Sequence, residues 1–311
     1  MTNSKARVFT LGETLLDIIF ENDQPVKAIP GGSMLNASVS LSRVGMDVEI
    51  ITELCGDVMG DIIRHFLVQN HISYSGSVIH PGNKTSLAIA VLDEYKNAAY
   101  SFYHDYPDSF AGYPSIDFNP GDILLFGSFY SIRPDRRSII LEILRTARQS
   151  GALLIYDPNI RQNHFSKHEN IREAVLENMK LAHIVKGSED DFINIFGESY
   201  RSFVNDNIRA FCEYLIITAG KDKVSYFTPL FNGKIPVPSI HPVSTIGAGD
   251  NFNAGIIYGM HRSVVDLTNI ETISEETWKA ILSAGIAFAN ATCLSIENYV
   301  PENFSVSGIE N

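Results

Sequence analysis

Ala152-Leu153-Leu154-Ile155-Tyr156-Asp157 is a run of five apolar residues that stops on a carboxylate. Comparable short apolar runs lie near 122–127, 182–186 and 214–218, and helical patterns near 135–149, 169–180 and 189–196 separate them. An apolar run without alternation suits a strand covered on both faces, the situation of a strand in a parallel sheet. Strand and helix in regular succession therefore predict an α/β fold with helices on both sides of that sheet. Open sheets of this kind receive ligands beyond the carboxyl ends of their strands. Asp157, Lys186 (after Ile184-Val185) and Thr218 (after Ile216-Ile217) stand at such ends.

Upstream, Val8-Phe9-Thr10-Leu11 is a short strand ending at Gly12-Glu13. Residues 14–31 carry Asp17, Pro25 and Pro30 and read as short strands rather than a helix. Gly31-Gly32 opens a helix over roughly 33–44, with Leu35, Val39 and Leu41 on its apolar side and Gly45 at its end. A strand over Val48–Thr52 and a helix near 59–70 follow. Ser86–Leu92 and Ala98–Tyr103 flank the polar Asp93-Glu94-Tyr95-Lys96-Asn97, which is the signature of a hairpin. Val224–Pro238 reads as another, with Asn232-Gly233 as its turn, and helices near 250–261 and 275–291 close the chain. With no internal repeat, low-complexity tract or linker, residues 1–311 read as one α/β domain with a small β element from segments near 15–30 and 86–105.

The chain has 311 residues, 45% hydrophobic and 19% charged, with a formal net charge of −12. That charge, with no Lys/Arg run, argues against a general nucleic-acid or anionic-membrane binder. Cys55, Cys212 and Cys293 are few, odd in number and far apart, so they form neither a disulfide framework nor a zinc spacing. Three reduced thiols suit a cytoplasmic protein. The apolar run after Lys5 and Arg7 is cut by Glu13 and Asp17, so it reads as neither signal peptide nor membrane span. The nine histidines show no ligand spacing and read as structural or surface groups, and Trp278 reads as core.

Two glycine-bearing stretches carry chemistry. In Val243-Ser244-Thr245-Ile246-Gly247-Ala248-Gly249-Asp250-Asn251-Phe252-Asn253-Ala254-Gly255 a loop of small residues breaks into a helix. The first N–H groups of a helix lack partners and sit at the positive end of its dipole, and small residues let an anion come close. Asp250 suits a base that takes a proton from an attacking hydroxyl, and equally suits a carboxylate that simply complements the dipole. In Gly31-Gly32-Ser33-Met34-Leu35-Asn36-Ala37 the double glycine exposes backbone N–H to a polyhydroxylated ligand, and Asn36 both donates and accepts. A helix entry with a buried, satisfied Asn reads equally from the same residues.

Gly31-Gly32-x-x-x-Asn36-x-Ser38 and Gly247-Ala248-Gly249-Asp250 together resemble the two signatures of the PfkB (ribokinase-like) carbohydrate kinases. Gly12-Glu13-x-x-x-Asp17 fits the same family, and Asp157-Pro158-Asn159-Ile160-Arg161 resembles its fructokinase and 2-keto-3-deoxygluconate kinase branches. The similarity runs from Val8 to about Pro301 with the motifs in the family's order. The resemblance implies a Rossmann-like three-layer α/β/α sandwich with a small β-sheet lid, and transfer of the ATP γ-phosphate to a sugar hydroxyl. It implies Asp250 as base and Gly247, Ala248 and Gly249 as an anion hole. Asp17, Gly31, Gly32 and Asn36 would hold the sugar, and Arg161 would lie near the phosphates or the sugar's far end. Lys186, Ser188, Thr218, Gly220 and Asn290 would line the nucleotide site.

The chain departs from the family in three places. The Asn-x-x-Glu motif that orders magnesium-bound water falls on Ser188 to Asp191, where Asp191 keeps a carboxylate one methylene shorter and would act on Mg2+ through water. Glu189 and Asp190 read as helix-terminal charges. Ser244 stands where the family carries Asp and Glu297-Asn298 where it carries Gly-Ala, so weak or absent potassium dependence is expected. His104 stands where fructokinases carry Arg, beside Phe102, which reads either as a stacking platform for a sugar face or as a plain strand residue. Fructose or a related ketose is the expected acceptor, with 2-keto-3-deoxygluconate or ribose as rivals. A catalytically weakened sugar- or nucleotide-binding sensor and a nicotinamide oxidoreductase are the readings of other classes. The latter is disfavoured because Gly12 is followed by Glu13-Thr14, not by a dinucleotide-binding glycine pattern. Family members pair through their lids, and the β segments here would permit a homodimer.

Overall fold

A computed structural model describes residues 6–92, 98–107, 110–160, 170–197, 201–202 and 210–305. From the N-terminus, β1 (Val8–Leu11) leads through β2 (Leu15–Glu21) and β3 (Gln24–Gly31) into α1 (Ser33–Arg43). Then come β4 (Val48–Ile51), β5 (Glu53–Cys55), α2 (Val58–Gln69), β6 (Val78–His80), β7 (Leu87–Leu92) and β8 (Ala98–Tyr103). The alternating part follows as β9 (Ile123–Gly127), a 3-10 turn (Phe129–Ile132), α3 (Arg137–Gln149), β10 (Leu153–Asp157), α4 (Ile171–Leu181), β11 (Ile184–Ser188), α5 (Glu189–Phe196) and β12 (Tyr214–Ala219). The chain closes with β13 (Lys223–Phe227), β14 (Asn232–Pro236), α6 (Ala248–Arg262) and α7 (Glu275–Cys293).

The main sheet has the order β14-β13-β12-β11-β10-β9-β1-β4. The six strands from β4 to β12 run parallel, and β13 and β14 add an antiparallel edge. Along β10, Leu153 and Ile155 enter one core while Leu154 and Tyr156 enter the other. That two-sided burial is why the run at 152–157 lacks alternation. The first core collects Leu35, Val39 and Leu41 of α1, Ile256, Ile257 and Met260 of α6, and Trp278 and Ile281 of α7. The second collects Ile140 and Leu144 of α3, Val175 and Met179 of α4, and Phe192 and Ile195 of α5. Helices, sheet and helices make the expected three layers.

A second sheet has the order β3-β2-β7-β8, with β2 and β7 parallel and the outer pairs antiparallel. It joins the segments expected near 15–30 and 86–105 as the lid; the polar residues between β7 and β8 lie outside the described residues. Its register brings Asp17 level with Ala88, and Ala88 level with Phe102. A two-stranded parallel ladder, β5 with β6, was not expected, because strands of three residues are too short to show a period.

One expectation is corrected. Asn232-Gly233 is not the turn of the second hairpin: these residues already pair with Phe227 and Tyr226. The chain reverses over 228–231, where the Thr228 hydroxyl accepts from the amides of Leu230 (3.3 Å) and Phe231 (3.0 Å). A Thr side chain thus sets the turn. Gly233 is required for another reason, since the Tyr226 hydroxyl fills the space a side chain would take.

Helix α6 packs closely on α7. A β-carbon on Gly255 would stand 2.5 Å from the Ala284 carbonyl oxygen and 2.6 Å from the Gly285 α-carbon, and both are backbone. Gly255→Val is therefore expected to destabilise the fold by about 1–3 kcal/mol or more. Thermal unfolding would show this as a Tm lowered by several degrees.

Candidate active site

The groups that the sequence brings into question meet where the parallel strands end. Helix α6 starts there because Gly247, its N-cap, takes a left-handed conformation (φ 79°) with the Asn298 carbonyl 2.5 Å from where a β-carbon would be. No other residue fits that turn without strain. Asn251 locks it: its Nδ2 donates to the carbonyls of Gly247 and Asn298, both at 2.7 Å.

Asp250 lies in the first turn of α6 and is buried. Its Oδ2 accepts from Asn36 Nδ2 at 2.9 Å, and its Oδ1 lies 3.4 Å from Asn159 Nδ2. α1 packs against α6, which is how Asn36, 214 positions away, reaches it. Gly247 and Gly249 line the same cleft as Asp250, while Ala248 is the first residue of the helix between them.

Beneath this turn sits a buried ion pair. Lys186 Nζ lies 2.8 Å from Asp157 Oδ2, which also accepts from Asn253 Nδ2 at 2.6 Å. The ammonium is 3.2 Å from the point a β-carbon on Gly249 would occupy. Burial works against the charge on Lys186, but Asp157, then Asp191 and Asp250, outweigh it and raise its pKa above the ordinary lysine value. A protein of net charge −12 thus keeps one buried cation at the mouth of the helix it would need for a phosphate.

The cleft has a volume of about 1660 Å³, more than a single small ligand fills. At one side it is lined by Asp17, Gly32, Asn36 and Phe102. Gly31 is not on its surface; it sits under the Asp17 carboxylate, which leaves no room for a side chain. Lys186, Ser188, Asp191, Thr218 and Gly220 also line the cleft. Ser188 caps α5 in a capping box with Asp191: Asp191 Oδ2 accepts from the Ser188 amide (2.8 Å) and hydroxyl (2.7 Å). The Ser-for-Asn and Asp-for-Glu departures therefore fit each other. Thr218 Oγ1 donates to the Gly187 carbonyl at 3.5 Å, and Gly220 is left-handed. Asn290 lies half-buried near the end of α7, outside the cleft lining, and Arg161 lies outside the described residues.

Sequence reasoning did not single out Asn159 and Asn253 as site residues. The run Asp157-Pro158-Asn159 carried the signal for the first. Asn253, one turn beyond Asp250 in sequence, gave none, since only the packing shows it facing Asp157.

The profile of the pfkB family carbohydrate kinases matches residues 5–301. "Probable fructokinase-6, chloroplastic" of Arabidopsis thaliana is 27% identical over 306 residues, covering 93% of this chain and 77% of its own length. Among solved structures, a fructokinase with bound ATP from Xylella fastidiosa superposes with a TM-score of 0.80 at 22% identity, covering 94% of this chain and 93% of its own. A double mutant of the fructokinase from Vibrio cholerae O395, bound to fructose, ADP and potassium, gives 0.82 at 20% identity, with 96% and 95% covered. The chain belongs to the pfkB family of carbohydrate kinases: it is an ATP-dependent sugar kinase, a phosphotransferase with a sugar hydroxyl as acceptor.

Removing one partner of a buried pair leaves the other charge uncompensated. Lys186→Met is expected to cost about 3–5 kcal/mol of stability, read as a lower urea midpoint. Lys186→Met combined with Asp157→Leu should cost less than Lys186→Met alone.

Proposed function

We propose that this enzyme phosphorylates fructose or a closely related ketose, with Asp250 as the base. The observation that carries the base assignment is a buried carboxylate in the first turn of α6, oriented by Asn36 at 2.9 Å, among Gly247, Ala248 and Gly249. In the reaction the acceptor hydroxyl gives its proton to Asp250 as its oxygen attacks the γ-phosphorus of ATP, and the bond from that phosphorus to the β–γ bridging oxygen breaks, releasing ADP. The amides of Gly247, Ala248 and Gly249, at the positive end of the helix dipole, face the charge that builds on the phosphoryl oxygens. Lys186 adds a fixed cation from below. Asp17, Gly32, Asn36 and Phe102 hold the sugar, with Gly31 giving the Asp17 carboxylate its room, and Ser188, Thr218 and Gly220 border the nucleotide. The three proteins named above are fructokinases by name, which supports fructose as acceptor.

Among the described residues no group of three or more His, Cys, Asp or Glu could hold a metal directly. The donor set fits Mg2+ carried by the nucleotide phosphates and held through water by Asp191, a hard oxygen ligand that lines the cleft. Magnesium bound there would offset phosphate charge. Residues 1–311 act as one domain, with the four-stranded sheet as the lid over the sugar. Its exposed apolar residues Val26, Val91 and Tyr103 support pairing of two copies through the lids. No helix among the described residues is long and apolar enough to cross a membrane, and the three free cysteines support a cytoplasmic setting.

Asp250→Asn is expected to lower kcat by about 10²–10⁴-fold while leaving ATP binding intact. Coupled ADP release over a panel of fructose, tagatose, ribose and 2-keto-3-deoxygluconate measures both the substrate and this loss; a variant with near-normal turnover overturns the base assignment. The Ser244 hydroxyl already accepts from the Ile246 amide (3.2 Å), and Glu297 pairs with Arg43 (3.0 Å). The rate in potassium chloride should therefore stay close to that in matched choline chloride, and a severalfold gain would contradict this.

A further inference from the structure

Phe102 continues into a polar cluster on the wall of the cleft, in which His104 and Tyr106 have no role in phosphoryl transfer. Phe102, His104 and Tyr106 alternate along the chain, so an extended backbone presents them on one side. Their rings stack, with centroids 6.2 Å apart for Phe102 and His104 and 5.0 Å for His104 and Tyr106. The Arg133 guanidinium closes the stack at 3.5 Å from the Tyr106 centroid. Arg133 is itself buried and immobilised: Asp135 Oδ1 accepts from its Nε at 3.0 Å, and its Nη1 lies 4.0 Å from Glu53 Oε1. Glu53 is in turn gripped by Arg136 (2.9 and 3.0 Å) and by the Tyr130 hydroxyl (2.7 Å). The stack thus rests on a rigid base in the body of the protein.

The polar edge of the stack converges on one carboxylate. Tyr106 donates its hydroxyl to Glu13 Oε1, and His104 Nδ1 lies 3.1 Å from the same oxygen. Burial, then the Glu13 charge, pushes the Tyr106 phenol well above its ordinary range, so the phenol is the donor. Both contacts use Oε1, and neither uses Oε2. Glu13 stands just past the carboxyl end of β1, where open sheets meet their ligands, and lines the same cleft as Asp17, Asn36 and Asp250. The cations nearby are already matched: Arg133 by Asp135, and Arg136 by Glu53.

We infer that Glu13 is a specificity-determining residue of the acceptor site, whose Oε2 accepts a hydrogen bond from a hydroxyl of an uncharged sugar. Tyr106 and His104 orient the carboxylate, and Arg133 is the positioning residue behind them. A site built to bond one hydroxyl rejects the analogue that lacks it, because the charged acceptor is then left unpaired. The same carboxylate repels an acceptor bearing a carboxylate or phosphate at that end.

This inference rests on the reading of the chain as a fructose kinase, and the test separates the two. Steady-state kinetics would be measured for the wild type, Glu13→Gln, Tyr106→Phe and Arg133→Met with fructose, its single-position deoxy analogues and ATP. Thermal unfolding would check that each variant is folded. For Glu13→Gln the fructose KM should rise about tenfold or more, with kcat and the ATP KM within about threefold of wild type. One deoxy analogue should be poor for the wild type, and Glu13→Gln should no longer distinguish it from fructose. Tyr106→Phe and Arg133→Met should raise the fructose KM by a few-fold, and their effects should not add to that of Glu13→Gln. A folded Glu13→Gln variant with unchanged fructose KM, or one that still rejects that analogue, overturns the inference while leaving the fructose assignment standing. If the wild type turns over another sugar of the panel, the fructose assignment fails and the same comparison is made with that sugar and its deoxy analogues. A wild type inert on every sugar overturns both.

Discussion

Helix α6 lies so close to α7 that backbone meets backbone at Gly255, and that contact fixes where the first turn of α6 points. Everything in the cleft is referenced to that turn. Its N-terminus supplies amides at the positive end of the dipole, α1 packs on it and delivers Asn36 to Asp250, and Lys186 reaches up to Gly249 from the middle of β11. The tight left-handed start at Gly247 is held in turn by Asn251 and the carbonyl of Asn298. A helix free to slide by a few tenths of an ångström could not keep Asp250 within 2.9 Å of Asn36.

Charge is handled locally rather than globally. The protein is acidic overall, yet a buried cation, Lys186, stands beside the helix mouth. Asp157 satisfies that ammonium without exposing it, and Asn253 holds Asp157 in place. Burying such a pair costs desolvation that the geometry must repay. Here it puts a fixed positive charge where mobile counter-ions would otherwise be needed. At the other side of the cleft the same principle appears with opposite sign. Arg133 and Arg136 are neutralised by Asp135 and Glu53, and the carboxylate of Glu13 lines the cleft beside them.

The departures from the family pattern are resolved by local geometry. Ser188 and Asp191 form a reciprocal capping box, in which a shorter carboxylate suits a shorter cap. Ser244 is occupied by the Ile246 amide and Glu297 by Arg43, so these residues have structural partners of their own.

The sequence by itself determined the layers of the fold. Runs such as 152–157 are apolar on both sides because the strand is covered on both sides, and that pattern is local enough to read without a structure. It also determined the glycine-bearing turns before α1 and α6, because a left-handed or crowded backbone admits few residue types. Tertiary structure alone decided which side chains meet. Asn36 and Asp250 are 214 positions apart, Tyr106 and Glu13 are 93 apart, and Asn253 reaches Asp157 across 96. No period or spacing encodes such pairs. It likewise decided that Gly233 is a strand residue beneath Tyr226 and not a turn, since a glycine is required by crowding as readily as by conformation, and only the packing tells the two apart.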